Sequence, residues 1–310
     1  MPVNRPFSVG IHPINWVGED VREHGADTAY ETILDDIHRL GLTGTEMGRK
    51  YPQDLEVLKQ ELSSRGIQLV SQWKSVLLSD PAYREQELAA YRAHCEFLSG
   101  MGSTVISTAE VGGSLHFDPR RTPNEKEVLR LDEEGWRSLA EGLNAAGSIA
   151  REYGMRLTYH HHGGTVVESP EEIDLLMELT DPSLVWLLYD TGHAYYGGAD
   201  PLEVLRKHYD RIAYIHLKDI RPAVLDEARA EAADFVTCIR KGVFTVPGDG
   251  CIDFQPIVSE LVERGYDGWA MLEGEQDPAE HPPYEYALHA LQHIDALIER
   301  AERKGANVHE

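Results

Sequence analysis

LVWLLYDTGH at residues 184–193 and IAYIHLKD at residues 212–219 are the stretches that decide the fold. Each begins with an apolar run of strand length and ends in polar side chains that can carry chemistry. Short apolar runs bounded by polar or turn residues are typical of strands in a protein core. We therefore predict strands over residues 184–189 and 212–215, with Asp190 and His216 at their carboxyl ends.

Six further strands follow from the same pattern. They cover residues 7–11, 42–46, 67–71, 104–108, 156–160 and 268–272. Helical periodicity separates them, over residues 29–40, 55–65, 91–98 and 133–153, from residue 169 onward, and over 284–303. Eight strand–helix alternations without a linker predict one α/β domain over residues 1–310, a (β/α)8 or TIM barrel. A doubly wound open sheet is the alternative, but no GxGxxG follows the first strand.

One connection is much longer than the others. Roughly residues 220–250 separate the seventh strand from the next helix, and residues 223–241 have a helical pattern. Loops of this length in a compact domain usually carry function or structure of their own. We expect a helical insertion on the face of the barrel where active sites are built, acting as a lid. A surface insertion or an oligomer contact are the alternatives.

Composition limits the class of partner. The chain has 310 residues, of which 53 are acidic and 29 basic, for a net charge of −24. Such a surface repels nucleic acid and anionic membranes. Three cysteines without a CxxC, no secretion signal and no apolar run of membrane-spanning length predict a cytoplasmic protein.

Four polar residues occupy equivalent places at the ends of successive strands. They are His160, Asp190, His216 and Glu273. The carboxyl ends of parallel strands lie on one face, so these side chains should converge on the barrel axis. Any one of them alone would be interpreted as a cap or a loop residue. Together, two imidazoles and two carboxylates predict a site for one divalent metal ion.

Strand alternation adds further groups to this site. Side chains two positions apart point the same way, which places His162 with His160 and Lys218 with His216. His193 follows Asp190 across a tight turn. A metal with open positions can bind a carbonyl and a neighbouring hydroxyl, and it makes the α-proton of a ketone easier to remove. His193, His162 and Lys218 are the candidate bases, and Lys218 could instead donate to the enolate.

The ends of the first four strands supply candidate substrate contacts. Asn15 and Trp16 could hydrogen-bond to a ring and stack on it, and Glu46, Lys74 and Glu110 could contact its hydroxyls. Rim packing and solvated surface positions are the alternatives for these five residues. The expected substrate is a small polyhydroxy ketone.

Except for Lys74, these candidate residues lie in segments that resemble the myo-inosose-2 dehydratases of inositol catabolism, which belong to the xylose-isomerase-like barrels. The resemblance covers nearly the whole chain. Its segments are residues 10–16, 44–52, 109–116, 158–165, 190–193, 216–219, 242–250 and 273–278. DTGH and HLKD are shared across the superfamily, whereas TYHHH, EVGGS and GVFTVPGDG are more particular to the dehydratases.

The resemblance implies a barrel that converts 2-keto-myo-inositol to a trihydroxycyclohexane-dione and water. It implies Mn²⁺ or Co²⁺ as the metal, with Mg²⁺ or Zn²⁺ possible. It also implies that His160, Asp190, His216 and Glu273 are the metal ligands and that His162, His193 and Lys218 are the catalytic or supporting residues. Glutathione is associated with such enzymes, although no motif places it here. A homo-oligomer is possible.

One position departs from the wider superfamily. Sugar epimerases place a glutamate at the end of the fifth strand, where this chain has His160. Losing one of two paired carboxylates disfavours a two-base epimerase and favours water loss. The alternatives are a sugar or keto-inositol isomerase or epimerase on the same metal, and a non-catalytic polyol-binding barrel. A DNA-repair endonuclease of related fold would need a basic groove.

Overall fold

A computed structural model describes residues 5–110 and 130–308, and its centre is one parallel sheet that closes into a barrel. In sheet order the strands are β3 (Gln68–Ser71), β2 (Gly44–Glu46), β1 (Ser8–Ile11), β11 (Trp269–Leu272), β8 (Ile212–Leu217), β7 (Val185–Asp190), β6 (Arg156–His160), β5 (Val105–Glu110) and β4 (Trp73–Val76). The predicted TIM barrel is confirmed.

Helices cover the outside of this barrel. They are α1 (Tyr30–Arg39), α2 (Leu55–Ser63), α3 (Arg84–Met101), α4 (Glu133–Glu152), α5 (Pro170–Leu179), α6 (Thr191–Tyr196), α7 (Pro201–His208), α8 (Pro222–Ala230), α9 (Phe235–Lys241), α10 (Phe254–Glu263) and α11 (Pro283–Val308). Local sequence sets their ends. For example, Ser169 and Glu172 form a reciprocal capping box at the start of α5, with Pro170 in its first turn.

The third barrel strand differs from its prediction, because it is broken at Gln72 into β3 and β4. The first half pairs with β2, and the second half pairs with β5. Serine side chains bridge the junction between β3 and β5. Ser107 N donates to Ser71 Oγ at 3.0 Å, and Ser103 Oγ donates to Leu69 O at 2.9 Å. The barrel is therefore closed through a strand that changes partner halfway along.

A small apolar layer fills the barrel interior below the strand ends. Its buried members are Val70, Val105, Leu188, Tyr214 and Met271. Three of them lie two residues before Asp190, His216 and Glu273 along their strands. Because alternate side chains share a face, the next inward position on each of these strands lies directly above the layer. The interior layer thus forms the floor of a site at the carboxyl ends of the strands.

The predicted insertion after β8 is a compact substructure rather than one long helix. A two-stranded antiparallel hairpin, β9 (Asp219–Ile220) with β10 (Phe244–Thr245), encloses α8 and α9. The two helices are separated near Ala232, which has φ 51°. Across residues 5–110 and 130–308, no helix combines the length and apolarity needed to cross a bilayer.

Asp219 anchors the chain that leaves this insertion. Its buried carboxylate accepts backbone hydrogen bonds from Ile220, Gly248, Gly250 and Ile252, at 2.8 to 3.1 Å. A Cβ on Gly250 would lie 2.3 Å from Asp219 Oδ1, so glycine is required for this close approach. One side chain therefore holds the loop between β10 and α10.

We expect Asp219→Ala to lower the free energy of unfolding by about 2–4 kcal/mol, because four backbone N–H groups, including that of the buried Ile220, lose their acceptor. Urea unfolding followed by circular dichroism measures the change. Asp226→Ala, at an exposed position of α8, is the matched control and should change stability by less than about 0.5 kcal/mol. Equal stabilities of the two variants would contradict the anchoring role.

Candidate metal centre and active site

The four predicted ligands lie together at the carboxyl ends of four neighbouring strands. His160 ends β6, Asp190 ends β7, His216 lies near the end of β8, and Glu273 follows β11. The register pairs Asp190 directly with His216. All four are buried, with at most 4% of each residue exposed. The parallel sheet therefore brings them to one point, as the sequence predicts.

Their facing atoms are close enough to share one cation. His160 Nε2 lies 3.5 Å and His216 Nδ1 lies 3.7 Å from Asp190 Oδ2. His216 Nδ1 lies 2.7 Å from Glu273 Oε2. Two overlapping groups with metal-binding geometry result, one of Asp190, His216 and Glu273 and one of His160, Asp190 and His193.

The ligand atoms also lack other partners. Asp190 Oδ2, His216 Nδ1, Glu273 Oε2 and both ring nitrogens of His160 are buried without a hydrogen-bond partner among residues 5–110 and 130–308. Buried polar atoms are almost always paired, so this set calls for an explanation. A cation in the middle would satisfy every carboxylate in it and at least one nitrogen of each ring. The donor set therefore fits a divalent metal ion.

Glu46 fixes the orientation of His216. Glu46 Oε1 accepts hydrogen bonds from His216 Nε2 at 2.5 Å and from Tyr214 Oη at 2.6 Å. With its proton on Nε2, the neutral His216 ring presents a free lone pair on Nδ1, toward Glu273. Glu46, predicted as a substrate contact, thus supports a ligand as well as lining the cavity.

The electrostatic field here favours positive charge. Burial opposes a charge on His216, but Glu46 and Glu273 outweigh it and raise the pKa of His216 to about 10. Burial also opposes ionisation of Glu46, yet His216 and His12 lower its pKa to about 2. A divalent cation could take the place of the proton on His216, and the carboxylates would stabilise it in the same way.

Lys218 lies beside the ligands and is fully buried. Its ammonium nitrogen is 3.0 Å from Glu273 Oε1, 3.4 Å from Glu275 Oε2 and 3.0 Å from His193 Nε2. Burial opposes its charge, but Glu273 and Glu275 outweigh this and raise the pKa of Lys218. Burial raises the pKa of Glu275, and its contact with Asp20 raises it further, against the effect of Lys218.

The rings of His162 and His193 pack against each other, with centroids 3.8 Å apart and planes tilted by 36°. The peptide group of Gly163 joins them, because its carbonyl lies 2.8 Å from His162 Nδ1 and its N–H donates to His193 Nδ1 at 3.1 Å. A carbonyl only accepts, so His162 carries its proton on Nδ1 and leaves Nε2 unprotonated. Burial, reinforced by His160, lowers the pKa of His162 to about 3. The ring is therefore neutral, and its unprotonated Nε2 can accept a hydrogen bond.

A cavity of about 640 Å³ opens above these groups. Five predicted site residues contribute to its wall, namely Glu46, His160, His162, His216 and Glu273. Asp190, His193 and Lys218 lie behind that wall and are fully buried. The volume is sufficient for a small polyhydroxy ring.

Four predicted substrate contacts lie outside the described part of the cavity wall, so their contact with substrate stays a prediction from the sequence. Trp16 packs in the core and donates to Asp36 Oδ2 at 2.9 Å. Asn15 Nδ2 donates to the carbonyl of His12 at 2.8 Å. Lys74 donates to its neighbour's carbonyl, Ser75 O, at 3.0 Å.

Glu110 is the fourth of these residues. It is fully buried at the end of β5, where its carboxylate accepts hydrogen bonds from Leu78 N at 2.7 Å and Ser79 Oγ at 2.6 Å. Of the dehydratase-like segment 109–116, residues 111–116 lie outside the described residues.

Among the residues of the cavity wall that the sequence interpretation missed are His12 and Trp73. His12 directly follows β1, so the rule that found the four ligands applied to it too. Trp73 begins β4, and its indole lies edge-on to His160 and His162, with centroids 5.3 Å from each. The break at Gln72, which the apolar pattern does not reveal, brings Trp73 to the cavity.

The fold has counterparts among known proteins. A family model described as xylose isomerase-like TIM barrel matches residues 34–297, and the chain belongs to that family. A solved structure of the IOLI protein with a bound zinc atom superposes with a TM-score of 0.63, over 97% of this chain and 98% of that chain. At 15% identity, this likeness concerns the fold alone.

Full-length relatives define the family more narrowly. An inosose dehydratase from Geobacillus kaustophilus strain HTA426 is 50% identical over 293 residues, covering 94% of this chain and 95% of the relative. One from Clostridium perfringens strain 13 is 45% identical, covering 94% and 97%. The chain is a member of the inosose dehydratase family, whose enzymes are hydro-lyases. The predicted family and enzyme class are confirmed.

Glu110 makes stability depend on pH. Burial raises the pKa of its carboxyl from 4.5 to about 7, against the hydrogen bonds from Ser79 and Leu78. The folded state thus retains a proton that the unfolded state releases. The associated stability is fully present below pH 4.5 and is lost as pH rises through about 7, by about 3 kcal/mol in total.

We therefore expect Glu110→Gln, which cannot ionise, to gain stability relative to wild type as pH rises from 5 to 8. Urea unfolding of metal-free protein at several pH values measures this difference. Glu263→Gln, on the exposed surface of α10, controls for the loss of one negative charge. A difference between Glu110→Gln and wild type that does not vary with pH would rule out the shifted carboxyl.

Proposed function

We propose that this cavity dehydrates 2-keto-myo-inositol to a trihydroxycyclohexane-1,2-dione, using one divalent metal ion held by His160, Asp190, His216 and Glu273. One observation carries the proposal. In a chain half identical to an inosose dehydratase, four strand ends present buried ligand atoms without partners at the floor of a cavity. The relatives support the reaction, and the unpaired atoms support the metal.

The reaction removes an α-proton and a β-hydroxyl from a ketone. A bound divalent cation supplies positive charge that polarises the carbonyl and acidifies the neighbouring C–H bond. Two nitrogen and two oxygen ligands suit Mn²⁺ or Co²⁺, and they also accommodate Zn²⁺. The protein has to add a base, an orientation for the ring and a low-dielectric surrounding. The proton that the base removes from the α-carbon has to be balanced by a proton delivered to the departing hydroxyl, which then leaves as water.

His162 is the group that we assign as the base. Among the three candidates it is the one whose residue contributes to the cavity wall, and its Nε2 is unprotonated because Nδ1 donates to Gly163 O. A general base must come within hydrogen-bond distance of the proton that it removes. His193 and Lys218 lie behind the wall, so contact with substrate is less direct for them.

Lys218 and His193 support the site from behind. The ammonium group of Lys218 donates to Glu273 Oε1 and holds that carboxylate ionised, which favours cation binding. Burial opposes ionisation of Glu273, but Lys218 and His216 outweigh it and lower its pKa. His193 packs against His162 and fixes its ring.

Metal binding should depend on the ligand Asp190 and on Glu46, which orients the ligand His216. We expect Asp190→Asn to abolish stoichiometric Mn²⁺ or Co²⁺ binding, because a shared ligand atom loses its charge. Glu46→Gln should weaken binding by roughly 10-fold to 100-fold through His216. Isothermal titration calorimetry measures both, with Asp226→Asn as the exposed control. Wild-type affinity in Asp190→Asn would place the metal elsewhere.

The reaction itself is tested with metal-loaded protein and 2-keto-myo-inositol in heavy water. We expect a dione that absorbs in the ultraviolet, together with loss of one water per turnover. His162→Gln should reduce kcat by roughly 100-fold to 10,000-fold, as removal of a general base does. A deuterated product that has lost no water would instead identify an isomerase or epimerase.

Several finer features remain predictions from the sequence. These are the choice between Mn²⁺ and Co²⁺, an involvement of glutathione, a homo-oligomeric state and a cytoplasmic location. Metal analysis of the purified protein and activity with and without thiols address the first two directly.

A further inference from the structure

The insertion after β8 contains an apolar cluster separate from the core of the barrel. Its buried residues are Ile220, Leu225, Ala228, Phe235, Val236, Cys238, Ile239, Val243 and Phe244, together with Val21 from the loop after β1. Two phenylalanines of this cluster, Phe235 and Phe244, are fully buried and also contact polar groups of the active site. The insertion therefore packs directly against the catalytic residues.

The two phenylalanines contact the paired imidazole rings of His162 and His193. The ring centroid of Phe235 lies 4.9 Å from that of His162 and 5.8 Å from that of His193. Phe244 lies 5.4 Å from His193, and the Lys218 ammonium lies 5.2 Å from the Phe244 centroid. Aromatic rings packed in this way restrict the rotation of the imidazoles.

Gly163 lies between Phe235 and the two histidine rings and contacts all three. Its peptide groups contact both histidines, through the carbonyl to His162 and the N–H to His193. A Cβ at this position would lie 2.9 Å from two ring carbons of Phe235 and 2.8 Å from Tyr196 Cδ1. Phe235 thus packs on the peptide unit that orients both rings, at a distance that only glycine allows.

We propose that Phe235 is a positioning residue that acts through Gly163 to set the angle of the His162 ring. The insertion is then a working part of the active site rather than a movable lid or a surface addition. The inference rests on the proposed function, in which His162 removes the proton. A misplacement of about 1 Å at such a group reduces the rate by roughly 100-fold.

Phe235→Leu tests the proposal, since it keeps the apolar character but removes the ring. We expect kcat for 2-keto-myo-inositol to fall by roughly 10-fold to 100-fold, with KM and metal content nearly unchanged. Leu225→Ala is the matched control. It removes apolar volume from the same cluster without removing a ring from the histidines, and it should leave kcat unchanged.

A second readout does not depend on turnover. Ring ¹⁵N signals of His162 and His193 in metal-loaded, histidine-labelled protein should shift in Phe235→Leu and stay in place in Leu225→Ala. A wild-type kcat in Phe235→Leu, unshifted ring signals, or an equal loss in Leu225→Ala overturns the proposal. Wild-type protein without dehydratase activity would refute the proposed function instead, and the ring signals alone would then decide the positioning role.

Gly163→Ala provides an independent variant if Phe235→Leu folds poorly. Its added Cβ must displace Phe235 or Tyr196, so kcat should fall while KM changes little. In the double variant with Phe235→Leu, the loss should be smaller than the product of the two single losses, because both act at one contact. Strictly multiplicative losses would show that the two residues act separately.

Discussion

The active site depends on a set of buried polar atoms that face one another at one point and have no hydrogen-bond partner among the residues that the structure describes. Five such atoms belong to His160, Asp190, His216 and Glu273. Each buried, unsatisfied polar atom destabilises a fold by about 1–3 kcal/mol, and a domain is stable by only about 5–15 kcal/mol in total. A cation that satisfies the set is therefore also a stabilising ligand of the folded state. The surrounding groups are arranged for this, since Glu46 orients a ligand imidazole and Lys218 keeps a ligand carboxylate ionised.

The barrel produces this convergence through strand parity. Leu188, Tyr214 and Met271 fill the interior, and two residues later the same strands present a carboxylate, an imidazole and, just beyond the end of β11, a second carboxylate. The apolar layer excludes water from below, which strengthens every electrostatic interaction above it. The alternation of side chains along each strand thus determines both the packing of the interior and the position of the metal ligands. A shift of register by one residue on any of these strands would turn a ligand away from the metal and a core residue out of the interior.

Most of this could be predicted from the sequence because it follows from periodicity. The barrel, the strand positions, the four converging side chains and the placement of His162 depend on which residues alternate and where apolar runs end. Other features depend on contacts between distant segments. Trp16 and Glu110 have polar partners in Asp36, Leu78 and Ser79, which no local pattern reveals, and these partners hold them outside the cavity wall. The break at Gln72 and the division of the insertion near Ala232 are likewise set by what each half packs against.

The broken third strand has a consequence for how such an enzyme can change over generations. Elsewhere in the described sheet, neighbouring strands are joined by backbone ladders that every sequence can form. At the junction of β3 with β5, the joining groups are the hydroxyls of Ser71 and Ser103. Gln72 and Trp73, at the break itself, belong to the cavity wall. Side chains at the junction of β3 with β5 therefore contribute both to the closure of the barrel and to the shape of the cavity. A substitution of Gln72 or Trp73 changes the cavity wall without altering the backbone ladders or the predicted metal ligands.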